Sequence, residues 1–154
     1  MNAEEWIQRE DEVAKQERIE RLRWLLENTP QNEIWIFHAG SLNYELFEQT
    51  RYSFVYSQDL AVILLGLSFI GHTLAALLFE SGREELARAN LSVLCQEAFN
   101  NRWIDGEEKK VIENSRIIRN NITHFRKPTE KHSIEWQTKY NEQQFLTVIE
   151  KEAR

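Results

Sequence analysis

The chain is short of three residues that shape folds. Its 154 residues include one cysteine, Cys95, two prolines and five glycines. A lone cysteine excludes an internal disulfide and suits a reducing compartment. So few glycines and prolines leave little material for a chain of many turns and favour long helices. Positive charge is also short. The 19 Lys and Arg against 25 Asp and Glu give a formal net charge of −6, which excludes broad coating of nucleic acid by a basic surface. Contact with RNA would have to rest on a local patch. Metal-ligand patterns are missing too: four scattered histidines, no CxxC and no HExxH, so neither metal nor cofactor is expected. The start, MNAEEWIQREDEVAKQE, is polar and acidic where a secretory signal would be apolar, and a cytoplasmic location is expected.

What is present can fold. Hydrophobic residues make up 42%, enough for one sizeable core, and charged residues 29%, enough for solubility. The longest apolar run, LAVILLGLSFIGHTLAALLF, spans 60–79 and could cross a bilayer by length alone. Asp59 and Glu80 flank it with no adjacent Lys or Arg to fix an orientation, and Ser68, His72 and Thr73 interrupt it. The expectation is therefore no membrane span, but a helix buried on all sides at the centre of a bundle or at a subunit contact.

Residues 2–29 read as an N-terminal amphipathic helix ended by Pro30. Its apolar stripe is Trp6, Val13, Ile19, Leu22 and Leu26, slipping between Val13 and Ile19, and it either packs on its own domain or extends from the core. Residues 33–52 are ambiguous: IWIF has strand character without a partner strand, and Ser41 is placed to cap a helix over LNYELFEQ. Ser57 is expected to cap the apolar helix and Ser81-Gly82 to end it. Asn90 then caps a helix whose buried face is Leu91, Leu94, Cys95, Ala98 and Phe99, which makes Cys95 a small, inert core residue. Asp105 and Glu108 form a capping box for the next helix, with Val111, Ser115, Ile118, Ile122 and Phe125 as its stripe and an end near Arg126 or Lys127 before Pro128. A last amphipathic helix is expected in WQTKYNEQQFLTVIEKEAR. No linker divides the chain, so the reading is one all-α domain over 1–154, an up-and-down bundle of four to six helices.

The chemistry concentrates in RIIRNNITHFRKP, residues 116–128. Arg119, Asn120 and His124 fall within six residues there. A histidine titrating near neutrality can take a proton, and an arginine can hold a phosphate and its developing charge. On one continuous helix Arg119 and His124 point roughly 140° apart, with Arg119 at the edge of the stripe. A shared site then needs a distortion around Asn120-Asn121 or a second chain across a two-fold axis. The competing explanation is a helix end whose cations complement the dipole. Arg116, Arg126 and Lys127 add the local basic patch, helped by Lys131 and opposed nearby by Glu130. His72, beside Gly71 and Thr73, reads as a core histidine unless the bundle places it under Arg119 or His124.

RNNITH at the end of an amphipathic helix resembles the signature of the HEPN family: an arginine, commonly followed by a polar residue, then a histidine after four to six intervening residues. Arg119, Asn120 and His124 match those positions. The apolar helix over 60–79 and the segment SGREELARANLSVLCQEA are similar to the core of such domains, so the resemblance covers about residues 50–128. It implies a metal-independent endoribonuclease, a homodimer whose two motifs face each other. The implied products are a 2′,3′-cyclic phosphate and a 5′-hydroxyl. The implied setting is a toxin or defence system with an antitoxin or regulatory protein. One departure weakens a particular antitoxin pairing: family toxins that are modified by a partner nucleotidyltransferase carry a tyrosine two positions after the histidine, where this chain has Arg126. A module that keeps the fold but only binds a partner protein or a nucleotide is the alternative.

Overall fold

The computed structural model describes residues 1–29, 37–124, 127 and 130. Most of IWIF, Phe125, Arg126 and the expected final helix lie outside the described residues. Among the described residues the chain is all-helical, without strands. Five α-helices follow one another: α1 Ala3–Asn28, α2 Gly40–Val55, α3 Asp59–Glu80, α4 Leu91–Asn100 and α5 Gly106–Thr123, with a short 3-10 turn at Glu84–Leu86.

The core forms where α3, α4 and α5 meet. Ile63, Leu67, Leu74 and Leu78 of α3 pack with Leu94, Cys95 and Ala98 of α4 and Ile112 of α5. The α3 residues recur at helical spacing, so one stripe is buried. The helix is not buried on all sides. Ser68 and His72 are exposed, Leu60 and Phe79 are largely exposed, and much of the remaining apolar surface is only half-covered. Among the described residues too few neighbours surround so apolar a run to cover it. Among the described residues α3 is the one helix long and apolar enough to cross a membrane by length and composition.

Cys95 is buried at 0% exposure, and that burial pushes its thiol up to about 11. Such a thiol is protonated and unreactive at neutral pH. Phe99, by contrast, stands open at the surface under the Lys109 ammonium, 5.1 Å from its ring centre.

α2 lies along α3 more extensively than any other helix pair. Phe37, Phe47 and Phe69 cluster there, with Phe47 and Phe69 rings 5.4 Å apart. Asn43 is buried beside them and donates to the His38 carbonyl and to Thr73 Oγ1, both at 2.8 Å.

α1 is attached differently from expectation. Trp6, Val13, Ile19, Leu22 and Leu26 are all exposed, and the face turned inward carries Ala14, Arg18, Arg21 and Leu25. Arg21, only 5% exposed, reaches Asp59 Oδ1 at 2.9 Å, Glu17 Oε1 at 3.0 Å and the Phe54 carbonyl at 3.3 Å. Its guanidinium also lies over the Phe54 ring. An ion pair therefore replaces the expected apolar seam, which explains why the stripe slips along the sequence.

Two of the expected caps form and two do not. Asn90 accepts from the Val93 amide, and Asp105 with Glu108 closes a capping box. Ser41 lies inside α2, whose cap position is Ala39. Ser57 precedes the cap position of α3, has a left-handed backbone (φ 55), and spends its hydroxyl on Glu17 at 2.7 Å. α3 ends as expected at Ser81-Gly82.

Candidate functional site

The site is built on the last two turns of α5. The buried stripe of this helix matches the expected one at Ile118 and Ile122 and differs at its start. Val111 is exposed, whereas Ile112 is buried and Ile118 and Ile122 pack against the core. Seven residues separate Ile112 from Arg119, so the two side chains point within about 20° of each other. Arg119 is thus on the inward side of α5, not at the edge of its stripe. It lines a groove of about 520 Å³ together with α3 and the approach to α4.

α5 also ends earlier than Pro128 requires. Thr123 is its last residue, and His124 caps it in an extended conformation (φ −114, ψ 129). Local chemistry accounts for this. Asn120, Asn121 and Thr123 are poor helix formers, and Thr123 Oγ1 donates back to the Arg119 carbonyl at 2.9 Å. The His124 amide still closes on the Asn120 carbonyl at 3.2 Å. The expected divergence of roughly 140° between Arg119 and His124 assumed a continuous helix. The chain leaves the helix before the histidine, so that constraint does not apply.

Arg119 Nε donates to Asn120 Oδ1 at 3.1 Å, which links two of the three motif residues. His124 is exposed, and its ring makes no hydrogen bond among the described residues. Lys127 is exposed, and its carbonyl accepts from the Glu130 amide at 2.8 Å. Arg126 lies outside the described residues. Arg116 is held by Glu113, Nε to Oε2 at 2.8 Å, and Ser92 Oγ donates to the same carboxylate at 2.8 Å. Burial pushes the Glu113 carboxyl up, but the hydrogen bonds from Arg116 and Ser92 outweigh it and hold it below its usual range. Arg116 therefore carries a charge already partly neutralised.

His72 is the residue that sequence reasoning could not place. It is exposed on α3 and lines the same groove as Arg119. The polar interruptions Ser68 and His72, four apart on an apolar helix, are the signal that marks this face of α3, and both border the groove. No group of three or more His, Cys, Asp or Glu among the described residues is arranged to hold a metal ion. In comparisons with known proteins, no family model, no curated protein and no solved structure matches the chain.

Proposed function

We propose that the chain is a HEPN-like endoribonuclease that cleaves RNA without a metal, working in the cytoplasm as a homodimer within a toxin or defence system. The up-and-down order of the bundle, the RNA substrate and an antitoxin or regulatory partner belong to the same proposal. The observation that carries it is Arg119: it lines a groove, is tied to Asn120, and stands five positions before an exposed His124.

In this reading His124 removes the proton from a ribose 2′-hydroxyl, and the resulting oxygen attacks the adjacent phosphorus. Arg119 stabilises the charge that builds on the phosphate oxygens. The bond to the 5′-oxygen breaks, and that oxygen leaves with a proton delivered by an imidazolium. Atoms balance with no other reactant, giving a 2′,3′-cyclic phosphate and a 5′-hydroxyl. The half-covered face of α3 supports dimerisation, since a second copy would bury it.

A second reading has one observation in its favour. Among the described residues no group donates to or accepts from the His124 ring to orient it, as a module that binds a partner protein or a nucleotide without cutting would allow.

Incubation with mixed RNA in EDTA separates the two. The wild type should cut and leave cyclic phosphate ends. His124→Ala should lose about 10²–10⁴ in rate and Arg119→Lys about 10²–10³, with melting curves unchanged for the exposed histidine. Cleavage that needs a divalent cation, or equal cleavage by both variants, rejects the ribonuclease. Light scattering that shows a monomer at micromolar concentration rejects the dimer.

A further inference from the structure

The groove that receives Arg119 has a composition at odds with the rest of the chain. The protein is acidic overall, at −6, yet no Asp or Glu lines this groove. Two arginines do, Arg119 from α5 and Arg88 from the segment before α4, and His72 stands with them. Arg18, Arg21, Arg51, Arg83 and Arg116 each meet a carboxylate. Arg88 and Arg119, like Arg9, Arg23 and Arg102 elsewhere, meet none among the described residues, and these two alone among the five line the groove. Two such guanidiniums beside one concave surface make a site for negative charge.

The floor and one wall add a second requirement. Gly71, Ala75 and Ala76 keep the floor of the groove shallow and smooth. Phe79 lines it while 54% exposed, on the last turn of α3. An aromatic side chain left open beside arginines is the combination that holds single-stranded nucleic acid, with the base on the ring and the phosphate on the cations. A bare phosphate would leave the ring unused. An acidic peptide would gain from the arginines but has no planar group for Phe79.

We propose that Phe79, Arg88 and His72 form a nucleotide subsite that seats one base and one phosphate of a single strand against Arg119. The inference rests on the ribonuclease reading for the direction of the strand. Within it, Phe79 stacks the base, Arg88 and Arg119 hold consecutive phosphates, and His72 donates a hydrogen bond across the groove. These side chains bind and position the strand; none is assigned a proton transfer.

The test uses the full chain and a labelled eight-nucleotide RNA of mixed sequence, 2′-O-methylated throughout so that the attacking hydroxyl is absent. Binding is followed by anisotropy over a range of salt. The wild type is expected to bind. Phe79→Ala should weaken binding roughly 5- to 150-fold, and His72→Ala about 2- to 10-fold. Arg88→Ala should lower the slope of log K against log salt by about 0.7, the loss of one phosphate contact on a single strand. Trp6→Ala, an exposed aromatic away from the groove, should bind as the wild type does. All three groove side chains are exposed, so circular dichroism should report folded variants. Failure of the wild type to bind at millimolar strand, or wild-type binding by both Phe79→Ala and Arg88→Ala, overturns the subsite. Unmodified RNA cut equally well by these two variants would remove the subsite and leave the ribonuclease. A methylated strand bound through Phe79 and Arg88, with unmodified RNA left uncut, would do the reverse.

Discussion

α1 leaves Trp6, Val13 and Leu22 in solvent and buries an arginine, whereas α3 buries four aliphatic side chains and still leaves apolar surface half-covered. Burial in this protein does not follow apolarity along the chain. It follows which side of each helix meets a neighbour. α3 meets α2, α4, α5 and the 3-10 turn along its sides, so its stripe is the core by position. Among the described residues, Arg21 fastens α1 at the start of α3 and the end of α2, where the nearest groups are Asp59 and the Phe54 carbonyl. A charged side chain is the one that can satisfy both.

Truncating one apolar residue on each helix separates position from apolarity as the cause of burial. Leu78→Ala removes a fully buried side chain from the last turn of α3 and should cost about 2–5 kcal/mol. Val13→Ala removes one that is 77% exposed on α1 and should change stability by less than about 0.5 kcal/mol. Chemical denaturation checks both. A large loss for Val13→Ala would mean that α1 is covered in solution, as a second copy would do.

Attachment of α1 is tested next, at Asp59. Asp59→Ala leaves the Arg21 guanidinium buried against Glu17 and a carbonyl, short of its closest carboxylate. Breaking a buried pair from one side costs about 3–5 kcal/mol, and the remaining Glu17 contact places the value at the lower end. Adding Arg21→Leu to Asp59→Ala should recover part of the loss, because the stranded charge is gone. A double variant as unstable as the single one would mean that Arg21 holds α1 mainly by packing on Phe54.

Legibility followed the same physics. Caps made by a side chain on its own helix, at Asn90 and at Asp105 with Glu108, could be read from local sequence because the partner is three residues away. So could the all-helical class, Gly82 at the end of α3 and the burial of Cys95. The face of α1 could not, because the partner of Arg21 is 38 positions distant. At the candidate site the motif residues themselves were visible. Their arrangement was not: a stripe read from Val111 in place of Ile112 turned Arg119 away from the groove, and helix propensity across Asn120–Thr123 outweighed the distant Pro128 as the stop signal. His72 joins Arg119 through tertiary packing alone.

The smallest expected effect concerns how helices end. α2, α3 and α4 close with the same pair of backbone hydrogen bonds across a left-handed residue, and that residue is Ser57, Gly82 and Arg102 respectively. Only one of the three is glycine, so the glycine count understates how many such turns the chain makes. A left-handed backbone costs a residue with a Cβ about 1 kcal/mol. Ser57 offsets this by donating to Glu17 at 2.7 Å, a bond that also fastens α1. The Arg102 side chain makes no hydrogen bond or ion pair among the described residues. Arg102→Gly should therefore stabilise the protein by up to about 1 kcal/mol, a rise of roughly 2–4 °C in melting temperature. Ser57→Gly gains the same backbone relief and loses a hydrogen bond of similar size, so its melting temperature should stay near the wild type. Equal stabilisation by both variants would show that the Ser57–Glu17 contact contributes nothing to holding α1.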